Sequence, residues 1–249
     1  MKSLLVFATV LGLSSLASGL DHSHVLFTEV LAAHVERGLV DYHKLKAHPE
    51  KLGAYLNLPA QVSKSDFDAW SSGQQMAFLI NLYNAQALKL VVDHYPVRSI
   101  KNIGGFRGPF KLRAVHLWGG LKTLDDIEHG ILRPHYAEPR IHFALVCAAR
   151  SCPDLRSEAY QAEILSVQLD DQARNFLRQE DKNPLLVGNT ELYLSRIFDW
   201  FEDDFSAAKG SVIKFILPYL PVEKASVISR KQFREKFVAY DWTLNELKN

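Results

Sequence analysis

The chain has 249 residues, 29 Lys+Arg against 28 Asp+Glu, 47% hydrophobic and 23% charged residues. That balance excludes a disordered chain, and a charge of +1 argues against a broad electrostatic nucleic-acid surface. Two cysteines are too few for a disulfide-built scaffold.

The chain opens with Lys2, an apolar run from Leu4 to Leu16 and a small-residue exit Ala17-Ser18-Gly19. This is the pattern of a signal peptide over residues 1–19, with cleavage after Ala17 or Gly19, and it is too short for a membrane span. The expectation is an exported protein, periplasmic or secreted, with one globular domain over residues 20–249 and no integral membrane segment after signal removal. Losing Lys2 leaves that domain formally neutral.

From His24 to Glu36 apolar residues recur at helical spacings, and Arg37-Gly38 is expected to end that helix. A second helical stretch begins near Val40-Asp41-Tyr42 and is expected to break at Pro59. Ser63-Lys64-Ser65-Asp66 opens a short helix with capping residues at hand, and Gly73 is read as separating it from the strongest helix in the chain, Gln74 to Tyr95. That helix is apolar nearly all round, so it should be buried on several sides and stop at Pro96. Gly104 to Phe110 reads as a loop. Leu112 to Trp118 and Leu121 to Thr123 read as a hairpin turning at Gly119-Gly120. Thr123 or Asp125 caps a helix ending near Leu132, before Pro134. Ile141 to Cys147 reads as a buried strand, and Glu158 to Gln179 as a helix. Residues 184–198 suggest short strands around Gly188-Asn189. Trp200–Phe205 and Ser211–Leu217 suggest short helices, followed by an aromatic-rich tail. The fold class is α+β: a single mostly helical domain with a small β-sheet and a long buried central helix.

Four groups carry chemistry. Asn81 and Asn84 lie three apart on the apolar helix, where they tie neighbouring loops or bind substrate and stabilise an oxyanion. Glu128 and His129 stand on the helix after Thr123, where a histidine carries protons near neutral pH and an acid orients it; Asp125 is four residues from His129 and could pair with it. His142 and Cys147 lie on the expected strand with opposite parity, which separates them unless the strand bends. Cys147 and Cys152 are five apart: they form either a disulfide or a site with a free Cys147 nucleophile. Arg133 and Arg150 are candidate substrate-binding cations. The cysteine spacing suits neither a Cys-x-x-Cys redox pair nor a closed zinc site, and no metal or cofactor is called. A metal-assisted hydrolase using His129, His142 and a cysteine is the weakest alternative.

The stretches Ala77–Ala85, Asp93–Ile100, Leu124–Arg133, Arg140–Cys147 and Cys152-Pro153 resemble the DUF547 family, whose function is unknown. The resemblance extends from Val40-Asp41-Tyr42 through Leu194–Trp200 and Glu202–Phe205 to Tyr240-Asp241-Trp242. Many bacterial members read Asn-Cys-Ala-Ser where this chain has Val146-Cys147-Ala148-Ala149, so two polar groups near Cys147 are replaced by apolar residues. The functional expectation is a thiol-dependent hydrolase or acyltransferase acting on an amide or thioester. Its partner would be a small molecule or peptide, and not nucleic acid. The alternative is a non-catalytic ligand-binding or assembly domain.

Overall fold

The computed structural model describes residues 20–187 and 190–248. The segment read as a signal peptide lies outside the described residues.

Helix α1 (Val25–His34) ends three residues before Arg37-Gly38, because these two form a turn between β1 (Val35–Glu36) and β2 (Leu39–Val40). Both turn residues have positive φ, 49° at Arg37 and 79° at Gly38, as a two-residue hairpin requires. A Cβ on Gly38 would also lie 2.4 Å from the Asp154 side chain, so this turn fits against the loop after Cys152 only as glycine. The helices α2 (Tyr42–Ala47) and α3 (Glu50–Gln61) follow. Pro59 lies inside α3, and the helix runs on to Gln61 instead of breaking at the proline. The proline removes one i→i−4 bond, and the last turn closes after it with the Val62 N–H donating to the Pro59 carbonyl at 3.2 Å.

After α4 (Lys64–Ala69) comes α5 (Ser72–His94), which starts earlier than the glycine suggested. Ser71 and Gln74 form a reciprocal capping box, and that places Gly73 inside the first turn. From Met76 to Val92 every side chain except Lys89 is buried. This is the central helix: Met76 to Ile80, Leu82, Tyr83, Ala87 and Leu90 belong to one apolar cluster, with Phe67, Val115, Leu124 and Leu132, and Ala85, Leu88, Val91 and Val92 to another, with Phe27, Leu31, Tyr42 and Leu52.

The hairpin forms, shorter than expected and turning one residue earlier: β3 (Val115–Leu117) pairs with β4 (Gly120–Lys122) about Trp118-Gly119, both at positive φ. Helix α6 (Leu124–Ile127) is capped by Thr123 in a box with Asp126. The chain does not stop before Pro134. It widens into a π turn over Glu128–Leu132 and tightens again as α7 (Arg133–Tyr136).

The expected strand Ile141–Cys147 is not formed. Residues Pro139–Phe143 make a 3-10 turn and the chain then runs on irregularly. Buried side chains do what a neighbouring strand would have done. Gln172 donates to the Phe143 carbonyl, Asn84 donates to the Ala144 carbonyl, and Asn84 Oδ1 accepts the Val146 N–H. With the polar main chain satisfied in this way, an apolar run needs no sheet. Helix α8 (Leu165–Arg178) begins seven residues later than expected, because the preceding segment is held extended by Asn81 on Tyr160 and Gln168 on Ala159.

Strands β5 (Leu185–Val187) and β6 (Glu191–Leu194) pair antiparallel. The helices α9 (Arg196–Trp200), α10 (Glu202–Lys209), α11 (Val212–Ile216) and α12 (Val222–Ser229) lead to β7 (Arg234–Phe237), which pairs parallel to β6. The α8–β7 half closes over a third, phenylalanine-rich core of Phe143, Phe176, Phe198, Phe205 and Phe215. The fold is a mostly helical α+β one, with its strands in three small sheets among the described residues. No described helix is long and apolar enough to cross a membrane.

Candidate functional site

A cavity of about 200 Å³ opens where the three cores meet. Its polar lining includes Tyr83 of α5, Asp125 of α6, Glu128 and His129 of the π turn, His142 and both cysteines. Phe110, Trp200, Phe201, Tyr240 and Trp242 supply aromatic walls. Trp200, Tyr240 and Trp242 pack on one another at 4.7–5.9 Å between ring centroids.

The π turn has a positional consequence. The capping box fixes where α6 starts, and the wide turn directs Glu128 inward and leaves Arg133 within reach of α10. Arg133 then grips Asp204 with two nitrogens, Nε at 2.7 Å and Nη2 at 3.0 Å. Such forked pairs hold both partners in plane. Asp204 Oδ2 also lies 2.7 Å from His142 Nε2. The third guanidinium nitrogen, Nη1, is 3.0 Å from His129 Nδ1. A guanidinium only donates, so His129 Nδ1 accepts and its proton sits on Nε2.

His142 is the centre of this chain. Its side chain is fully buried, and its ring stacks on Phe201 at 3.7 Å with an interplanar angle of 15°. Burial lowers its pKa, against the opposing pull of Asp204. As a neutral ring donating from Nε2 to Asp204, it turns the lone pair of Nδ1 toward Glu128, whose Oε1 is 3.8 Å away. Nδ1 is buried and has no hydrogen-bond partner. Burial pushes the Glu128 carboxyl up to about 7, partly offset by the Tyr83 hydroxyl and by Arg133. Asp204 shows the reverse: the hydrogen bond to His142, with Arg133, holds it far below the usual carboxylate range. Two carboxylates on the two nitrogens of one imidazole are thus driven apart. Asp204 is the fixed anion and Glu128 changes charge near neutral pH.

The sulfurs of Cys147 and Cys152 are joined at 2.05 Å. In this state Cys147 has no thiolate to attack with. Cys147 is half-buried at the cavity wall, whereas Cys152 is 2% exposed. The Tyr240 hydroxyl lies 3.3 Å from the Cys147 sulfur and 3.2 Å from that of Cys152. Burial raises the Tyr240 pKa, so it remains a donor.

The cavity therefore brings together Cys147, Cys152, Glu128, His129 and His142. The parity that separated His142 from Cys147 does not apply, because the segment between them is not a strand. Asn81 and Asn84 are elsewhere. Each spends both ends of its amide on main chain, Asn81 on Tyr160 and Asn84 on Ala144 and Val146, so they shape the loops and do not face the cavity. Arg150 is exposed on another face, beside Arg98 and Lys248. Arg133 adjoins the site, but its guanidinium is committed to Asp204 and His129. Asp125 lines the cavity without pairing with His129. Among the described residues no group of three or more His, Cys, Asp or Glu is arranged to hold a metal ion.

Sequence reasoning passed over Asp204, Tyr83, Phe201 and Tyr240 as site residues. Three of them stood within the stretches that carry the family resemblance, Tyr83 in Ala77–Ala85, Asp204 in Glu202–Phe205 and Tyr240 in Tyr240–Trp242.

Residues 67–177 match the model of a family described as Protein of unknown function, DUF547. The match covers α5, the π turn, His142 and both cysteines, and leaves out Asp204 and Tyr240. No curated protein and no solved structure matches the chain significantly.

Proposed function

We propose that this DUF547 domain-containing protein is a hydrolase or acyltransferase acting on a small amide or thioester, with Glu128 as its acid–base group. One observation carries the reading: Glu128 titrates near neutral pH, faces an aromatic-walled cavity and is backed by the His142–Asp204–Arg133 chain. A carboxyl poised at the working pH both takes and returns a proton efficiently. As carboxylate it accepts the proton of the attacking group, and as carboxylic acid it returns that proton to the departing amine or thiol. In the reduced protein the attacking group is the Cys147 thiol, which lines the same cavity, and this makes the activity thiol-dependent.

The test is a panel of small thioesters and anilides offered to the untreated and to the dithiothreitol-reduced protein. Turnover is expected in the reduced form and lost in Glu128→Gln and in Cys147→Ser, each checked for folding. Turnover that survives Glu128→Gln overturns the assignment. Ligand binding without turnover in either form makes the cavity a binding site only.

The signal-like pattern of residues 1–19 supports export, and a pair of joined cysteines suits an oxidising compartment. N-terminal sequencing of the protein recovered from its native source should start at Ser18 or Leu20. A start at Met1 would refute export by this signal.

A further inference from the structure

We infer that the Cys147–Cys152 pair is a thiol–disulfide exchange centre that takes a small neutral or cationic thiol through the cavity, with Cys147 as the sulfur attacked and Cys152 as the sulfur that leaves. This does not rest on the acyl chemistry proposed above. Three independent features of the site support it.

The first is access. Both cysteines line the cavity, but Cys147 is only half-buried whereas Cys152 is 2% exposed, so Cys147 is the more open of the two to an incoming thiolate. The second is where the charge goes. The Cys147 backbone N–H donates to the Cys152 sulfur at 3.0 Å, and the Tyr240 hydroxyl reaches the same sulfur at 3.2 Å. Two donors converge on the atom that becomes a thiolate if Cys147 is attacked, and a stabilised leaving thiolate speeds exchange. The third is that the loop is held without the sulfur bond. Lys182 Nζ donates to the Cys152 carbonyl at 2.7 Å, Arg150 N to the Thr243 carbonyl at 2.8 Å, and Asn245 N to the Ala148 carbonyl at 3.1 Å. Opening the disulfide therefore leaves both sulfurs in place to close again.

The choice of thiol follows from the lining. Its ionisable side chains, apart from the tyrosines, are Asp125, Glu128, His129 and His142, and no lysine or arginine faces the cavity among the described residues. Such a wall disfavours an anionic thiol.

The exchange balances as follows. The thiolate RS⁻ forms a bond to Cys147 Sγ, the Cys147–Cys152 bond breaks, and its electron pair stays on Cys152 Sγ. A second RS⁻ attacks the thiol's sulfur in the mixed disulfide, releasing RSSR and the Cys147 thiolate. The protein gains two electrons and two thiols are oxidised. A small disulfide reverses both steps.

The experiment uses the intact, folded, oxidised protein with cysteamine as the probe. The reaction is quenched with acid at short times, and adducts are mapped by peptide mass. The adduct should sit on Cys147 at least about tenfold over Cys152. Tyr240→Phe, verified as folded by near-ultraviolet circular dichroism, should slow exchange about tenfold, the usual worth of a hydrogen bond to a charged atom. Per unit of thiolate, mercaptoacetate should react several-fold more slowly than cysteamine. The inference is overturned by an adduct on Cys152 or spread over both sulfurs, by the absence of an adduct on the folded protein, or by a rate equal to that of global unfolding. The wild-type adduct pattern alone decides if Tyr240→Phe does not fold. None of these readouts contains an acyl substrate, so failure of the acyl reading leaves them intact.

Discussion

Replacing Glu128 with glutamine should change stability in a way that depends on pH. The carboxyl is nearly enclosed, with 12% of its side chain exposed, and burial moves its pKa from 4.5 to about 7. The folded protein therefore holds a proton that the unfolded chain releases more easily. Below about pH 4.5 both states are protonated and the shift costs nothing. Above pH 7 both are ionised, and the fold carries the whole penalty of a buried charge. At 1.36 kcal/mol per unit, that penalty is about 3 kcal/mol. Wild-type stability should thus fall as pH rises from about 4.5 through 7. Glutamine has similar size and no charge, so the difference between variant and wild type should move by about 3 kcal/mol in favour of the variant across the same interval. His142 complicates the absolute curves. Its lowered pKa removes stability as pH falls below the ordinary histidine value, the opposite slope. Because both proteins contain His142, the difference between urea unfolding free energies at pH 4.5, 6 and 8 is the quantity to read. A difference that stays flat over that range would refute the reasoning, since it would mean that Glu128 titrates like an exposed carboxylate.

Three further outcomes follow from the same geometry. Asn84→Ala leaves the Ala144 carbonyl and the Val146 N–H buried without partners, and should cost about 3 kcal/mol in denaturant unfolding. Asp204→Asn removes the anion shared by Arg133 and His142; it should cost about 2 kcal/mol at neutral pH, with the wild-type advantage disappearing only in strong acid because the Asp204 pKa is lowered. The double variant Cys147→Ser, Cys152→Ser opens a loop of six residues, and in the chain-entropy picture should lose only about 2 kcal/mol. Unfolding of that variant at room temperature in buffer would show that the disulfide holds the fold, contrary to the loop's other anchors.

The parts of the fold that were legible in the sequence are those governed by local rules. The buried helix around Asn81, the capped helix starts near Ser63 and Thr123 and the β3–β4 hairpin each depend on residues a few positions apart. What was not legible depended on distant partners. Ile141 to Cys147 has the composition of a strand, and only the positions of Asn84 and Gln172 explain why it is not one. Pro59 and Pro134 failed as helix stops: Pro59 costs α3 a single bond and only one turn follows it, and Pro134 falls in the first turn of α7, where proline is tolerated. The cavity was half visible. Cys147, His142, His129 and Glu128 were named from residue type and proximity in the chain. Asp204 and Tyr240 lie more than fifty residues beyond His142, and no local spacing connects them to it.

The buried amides of Asn81, Asn84, Gln168 and Gln172 have a dynamic consequence. A strand paired at a sheet edge can peel away by itself, but a chain segment hydrogen-bonded to side chains of a helix is released only when that helix moves. The segment from Phe143 to Val146 is clamped from α5 on one side and α8 on the other, and Tyr160 is held by α5 as well. These residues belong to one cooperative unit with the two helices. The main-chain amides of Val146 and Tyr160 should exchange with solvent deuterium as slowly as the interior of α5, even though neither lies in a helix or strand. One end of the cavity is in this way fixed to the slowest-opening part of the protein.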